Sequence, residues 1–120
     1  MLLYVQFFLV TLIWILDVVV GLGKEFYLTV WWWDIPMHFL GGLWAGLFGL
    51  WFFKRLKKSA PISTAITVAI CIGISWEIFE YSFAVARSVF MSYPIDTAKD
   101  LLMDTLGGIT AGLLVRYFRI

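Results

Sequence analysis

Apolar residues run through this chain in four long stretches, at about 2–22, 35–53, 62–85 and 95–116, and the segments between them collect glycine, proline and charge. A helix needs about 20 apolar residues to cross the hydrocarbon core of a bilayer, and each stretch meets that length. The punctuation fits helix ends. Gly21 and Gly23 close the first stretch, Asp34 as N-cap and Pro36 in the first turn open the second, Pro61 opens the third, and Pro94 precedes the fourth. Short connections make successive helices antiparallel. The pattern predicts an all-α integral membrane protein: a single transmembrane domain over residues 1–120, folded as a four-transmembrane-helix antiparallel bundle.

Composition agrees with lipid as the solvent. Hydrophobic residues make up 62% of the chain and the mean hydropathy is +0.94, against an apolar share of roughly 45–50% in soluble domains. A net charge of +1 gives no basic field, so no nucleic-acid partner is expected. Cys71 is the lone cysteine and can form no intramolecular disulfide. The first stretch has neither a basic n-region nor a small-x-small cleavage pattern, and reads as a retained helix rather than a signal peptide.

Charge placement then orients the bundle. Lys54, Arg55, Lys57 and Lys58 lie between helices two and three, and Arg116 and Arg119 follow helix four; the opposite side carries Lys24, Arg87 and Lys99. By the positive-inside rule the more basic side is cytoplasmic, as are both termini, in a multi-pass protein of the inner (plasma) membrane. Trp31, Trp32 and Trp33 then fall at the outer interface as an aromatic belt.

With that topology the acidic residues all gather in the outer half. Asp17 ends helix one, Asp34 and His38 begin helix two, Glu77 and Glu80 lie late in helix three, and Asp96, Asp100 and Asp104 descend the start of helix four; Glu25 is in the outer loop. The spacings i,i+4, i,i+3 and i,i+4,i+8 place each set on one helix face. The faces continue inward as small residues: Gly41, Gly42, Ala45 and Gly49; Gly73, Ala69 and Ala65; Gly107, Gly108, Ala111 and Gly112. Small stripes let membrane helices approach closely, so the carboxylates are expected to meet across one interior cavity.

A charge at mid-membrane costs about 2.5–3.5 kcal/mol on insertion scales, and neighbouring carboxylates repel. The seven carboxylates within the spans exceed Lys99, Arg87 and a protonated His38, so cations or protons must supply the balance. Oxygen ligands with one imidazole suit a divalent metal cation: Mg²⁺, Mn²⁺ or Ca²⁺ first, Zn²⁺ or Fe²⁺ next. The expected ligands are Asp34, His38, Glu77, Glu80, Asp96, Asp100 and Asp104. Plain capping is the competing role for Asp34 and Asp96, and simple reach to the interface for Asp17.

The same residues carry a family resemblance. Asp34-Ile-Pro-Met-His38-Phe-Leu-Gly-Gly, Trp76-Glu77-Ile-Phe-Glu80-Tyr and Asp96-Thr-Ala-Lys-Asp100-Leu-Leu-Met-Asp104-Thr-Leu-Gly107-Gly108 resemble the motifs of VanZ-like bacterial membrane proteins and the related YjdF-type inner-membrane proteins. Asp104 stands where Asn is usual, Ile35 where Lys follows the first Asp, and Glu80 where Gln is common, making this site more acidic. The resemblance implies a place in the bacterial cell envelope and an association with low-level glycopeptide resistance.

Three functions remain open on the sequence. One is metal-dependent phosphoryl or acyl chemistry on a lipid or lipid-linked envelope precursor, with His38 or Glu77 as general base. Another is cation or proton transport, for which a homodimer would supply more helices. The third is a non-catalytic envelope-binding or scaffold protein in membrane lipid.

Overall fold

The computed structural model describes residues 1–84 and 88–120. Four helices are long and apolar enough to cross a membrane, and they form the all-helical bundle that the hydrophobic pattern predicts. Helix α1 spans Leu2–Leu22, α2 is a short helix Phe26–Thr29, and α3, α4 and α5 span Asp34–Arg55, Ile62–Phe83 and Tyr93–Phe118. The predicted end of the third helix at 85, and Arg87, lie outside the described residues.

Three boundaries differ from the sequence reading. Asp34 is not an N-cap: Trp33 holds that position, with φ and ψ of −58° and −37°, and Asp34 is already helical. Asp96 is not a cap either, because α5 begins at Tyr93 and takes Pro94 into its first turn, where a missing N–H costs nothing. Both carboxylates are thereby released from local backbone bonding: Asp34 reaches Lys99 on α5, and Asp96 pairs with Lys99 one turn further along its own helix. The connector after α1 also holds an unexpected turn of helix, α2, entered through Glu25 in the left-handed region at φ 57°.

Helix α1 changes character along its length. It is α-helical over Leu2–Trp14 and π-helical over Ile15–Leu22, where the Gly23 N–H reaches the Val18 carbonyl at 3.1 Å. Wider turns re-phase the side chains, and Asp17 lies in this segment. Gly21 is buried because a Cβ there would lie 2.6 Å from the Tyr27 ring and 2.8 Å from Trp33 Nε1. The end of α1 is thus covered by the connector that follows it.

The core is a tight trio of α3, α4 and α5, with α1 packed on α3. Glycine sets the separation. A Cβ on Gly46 would sit 2.8 Å from the Ala111 Cβ, and one on Gly108 would sit 2.7 Å from the Ala69 Cβ and 3.1 Å from the Ala65 carbonyl oxygen. Gly112 meets Ile62 and Gly49 meets Val68 in the same way. Gly41 is the exception in the predicted stripes, with only the Asp104 Oδ1 at 4.0 Å from its hypothetical Cβ. Toward the basic end, Leu2, Leu9, Leu43, Leu47, Leu50, Ala65, Ala111 and Val115 close the interior. Lys54 Nζ donates to the Ile120 carbonyl at 3.0 Å, tying the C-terminus to the end of α3.

Replacing Gly108 by Leu forces a side chain against backbone as well as against Ala69. Gly108→Leu is expected to lower stability by about 3 kcal/mol or to prevent assembly, as overpacking does, while Ile78→Leu on an exposed face leaves it unchanged. Thermal unfolding in detergent measures both; equal behaviour of the two variants would refute close helix approach at Gly108.

Candidate metal centre

The acidic ends of α3, α4 and α5 meet as the spacing predicted. Asp34 and His38 come from the first turns of α3, Glu77 and Glu80 from the last turns of α4, and Asp96, Asp100 and Asp104 from the first half of α5. His38, Glu77, Glu80, Asp96, Asp100 and Asp104 are buried, and Asp100 is only 1% exposed. Asp34 is half-buried at the rim. Gly73 makes this convergence feasible, since any Cβ there would collide with the Asp104 carboxylate.

His38 is the hub. Its Nε2 lies 3.4 Å from Asp34 Oδ1 and 3.4 Å from Asp100 Oδ2, and its Nδ1 faces Asp104 Oδ1 at 3.5 Å. Lys99 approaches the same carboxylates from the other side. Its ammonium is 3.1 Å from Asp34 Oδ2, 2.9 Å from Asp96 Oδ1 and 3.1 Å from Asp100 Oδ1. Asp34 and Asp100 therefore each show one oxygen to lysine and the other to the imidazole.

Glu77 and Glu80 are held by neutral donors. Thr97 Oγ1 donates to Glu77 Oε2 at 2.9 Å, and Trp76 Nε1 donates to Glu80 Oε1 at 2.7 Å. Glu77 Oε1 and Asp104 Oδ2 are buried without a hydrogen-bond partner. Such groups carry a desolvation cost that a ligand would relieve. Ligand atoms of Asp34, His38 and Asp100 lie within 4.8 Å of one another, as do those of Glu77, Glu80 and Asp100. Asp96 and Asp104 belong to neither set; Asp96 instead binds Lys99, and Asp104 backs His38.

Charge does not balance within the protein. Asp34, Glu77, Glu80, Asp96, Asp100 and Asp104 make six carboxylates, against Lys99 and His38 as cationic partners among the described residues within the cluster. A deficit of this size inside an apolar bundle requires bound cations or protons.

Asp17 stands apart from this cluster, accepting a hydrogen bond from Tyr27 Oη at 2.5 Å. Trp33 is buried against Phe26, with ring centroids 5.1 Å apart, while Trp31 and Trp32 are exposed. Only the latter two are free to act as the predicted aromatic belt. Tyr27, Thr97 and Trp76 were not foreseen as partners of the acids. The i,i+4 spacing of Trp76 and Glu80 was the one signal available, because the other two contacts join different elements.

A groove of about 320 Å³ lies between α4 and α5, with Ile74, Ile78, Tyr81, Tyr93 and Leu101 giving it a predominantly apolar lining to which Glu77 and Thr97 also belong. Glu77 thus belongs both to the groove and to the acidic cluster.

Burial raises the pKa of Tyr27 well above the ordinary tyrosine value, helped by its hydrogen bond to Asp17 and by the negative charges of Asp17, Asp34 and Glu80. The folded protein holds this proton more tightly than the unfolded chain. The stability linked to Tyr27 is therefore intact below about pH 10 and falls as pH rises beyond it. Phenolate absorbance at about pH 11 is expected to be the same in wild type and Tyr27→Phe; one extra ionising tyrosine in the wild type would contradict the half-buried Asp17–Tyr27 pair.

Residues 2–119 match the family described as Predicted membrane protein (DUF2238), and the chain belongs to that family. No curated protein and no solved structure matches it.

Proposed function

We propose that this member of a family of predicted membrane proteins is a divalent-cation centre of the bacterial plasma membrane, acting on a lipid or lipid-linked envelope precursor. The geometry around His38 carries the reading. An imidazolium paired with carboxylates would sit at about 2.7–2.9 Å, as charge-assisted hydrogen bonds do. Both Nε2 contacts are instead 3.4 Å, a separation that leaves room for an ion between the donors. Adjacent ligands 3.4 Å apart correspond to bonds of about 2.4 Å at right angles, within the Ca²⁺ range, or of about 2.1 Å at tetrahedral angles, within the Zn²⁺ range. Mg²⁺ and Mn²⁺ would need a modest contraction.

The surroundings suit that role. Asp104 Oδ1 lies on the Nδ1 side of the ring at 3.5 Å, so an ion held by Nε2 would leave the Nδ1–H facing a carboxylate, as in the carboxylate–histidine–metal arrangement. Lys99 fixes the outward oxygens of Asp34 and Asp100 and leaves the inward ones for the ion. A bound cation would polarise a phosphoryl or carbonyl oxygen of the precursor, and Glu77, at the groove wall, would serve as general base. His38 is then a ligand rather than a base. The apolar groove accommodates the chain of an amphiphile, and the resemblance to VanZ-like proteins agrees with an envelope substrate. Transport is disfavoured because Leu47, Leu50, Ala65 and Ala111, each at most 1% exposed, close the path toward the basic end.

Calorimetric titration of metal-stripped protein with Ca²⁺, Zn²⁺, Mn²⁺ and Mg²⁺ tests the reading. Binding is expected in the wild type, with affinity reduced about 10–100-fold in Asp104→Asn through the misoriented imidazole and more in His38→Ala. A folded wild type indifferent to all four cations would leave a protonated polar core as the better account.

The basic loop is assigned to the cytoplasm by its charge. In Cys71→Ser protein, a Lys57→Cys thiol is expected to react with impermeant reagent only in inverted vesicles. Labelling in intact cells would move the centre to the cytoplasmic face.

A further inference from the structure

The centre just proposed uses one oxygen of Asp100, and Asp100 also belongs to a second set of ligands. Ligand atoms of Glu77, Glu80 and Asp100 lie within 4.8 Å of one another, and the three residues are 5%, 8% and 1% exposed. No cation serves this set directly from the glutamate side. Lys99 pairs with Asp34, Asp96 and Asp100, and among the described residues no lysine, arginine or histidine forms an ion pair with Glu77 or Glu80.

The glutamates are nevertheless positioned with care. Thr97 secures Glu77 through Oε2 and leaves Oε1 buried without a partner; Trp76 secures Glu80 through Oε1. Each carboxylate is oriented by one neutral donor and keeps its other oxygen uncommitted. This arrangement matches the outer-shell support of metal ligands, and the orphaned Glu77 oxygen is an acceptor in need of a cation.

We infer that the site is dinuclear, with Glu77, Glu80 and Asp100 holding a second divalent cation and Asp100 bridging it to the ion at Asp34 and His38. Lys99 holds Asp100 Oδ1, so the bridge would be the single-oxygen kind, with Oδ2 shared by both ions, and ions about 3.5–4 Å apart are a recurrent arrangement in helical-bundle and phosphoryl-transfer centres. Charge favours two ions over one. With His38 neutral, Lys99 and one divalent cation leave the six carboxylates with three uncompensated negative charges; a second cation leaves one. Glu77 also lines the groove, so the second ion would be the one nearer an incoming ligand, and with that ion bound Glu77 would be a ligand in place of the general-base role given it above.

The inference rests on the cation reading above, and Mn²⁺ stoichiometry separates their failures. Full-length protein in nanodiscs is titrated with Mn²⁺ to millimolar concentration, with free ion followed by electron paramagnetic resonance. Two Mn²⁺ per chain are expected, with the spectrum of an exchange-coupled pair. Glu80→Gln is expected to bind one ion, with an uncoupled six-line signal and first-site affinity changed less than about 10-fold. Should Glu80→Gln fail to fold, Glu77→Gln and the wild-type spin coupling provide the same readout. One uncoupled ion in the wild type overturns the dinuclear inference and preserves the His38 centre; no bound ion overturns both.

Discussion

Six carboxylates drawn together within an apolar bundle are the constraint on which the structure depends. In water such a group would be hydrated and unremarkable; inside a membrane protein each unbalanced charge must be met by another charge, a proton or an ion. Lys99 meets part of the demand by touching three aspartates at once. The rest is left to bound cations or protons among the carboxylates around Asp100.

The small residues follow from the same demand. Short carboxylate side chains reach one another across three helices only when the backbones nearly touch. Gly42, Gly46, Gly107 and Gly108 remove the side chains that would hold α3, α4 and α5 apart. Gly73 acts within the site itself by vacating the space that the Asp104 carboxylate fills. Packing and chemistry are thus one design: the contact that excludes lipid also concentrates the charge. Toward the basic end the same closeness is sealed by Leu47, Leu50 and Ala111.

The spans and the meeting of the acidic faces were legible because both follow from short-range periodicity. Asp34 and His38 are four residues apart, and Asp96, Asp100 and Asp104 repeat at the same interval, so helix geometry alone aligns them. Lys99 was visible as a counter-charge, but its simultaneous contact with Asp34, Asp96 and Asp100 depends on the approach of α3 to α5. Capping competes with site roles for Asp34 and Asp96 in the sequence because proline and acid near a helix start are ambiguous: Trp33 and Ser92 take the cap positions and leave the acids inside. The Asp17–Tyr27 bond and the burial of Trp33 depend on the connector after α1, whose path has no periodicity to announce it, and the π-helical end of α1 departs from the 3.6-residue repeat.

The groove between α4 and α5 is walled by apolar residues of two helices long and apolar enough to span a membrane, Ile74, Ile78 and Leu101 among them. On the proposal of a lipid substrate, an amphiphile entering there would come from within its own leaflet and keep its chain in an apolar environment throughout. Its encounter with Glu77 would be a two-dimensional search, and occupancy would follow its mole fraction among the surrounding lipids rather than its concentration in the aqueous phase. Diluting the membrane with inert lipid would therefore act on this protein as diluting a buffer acts on a soluble one.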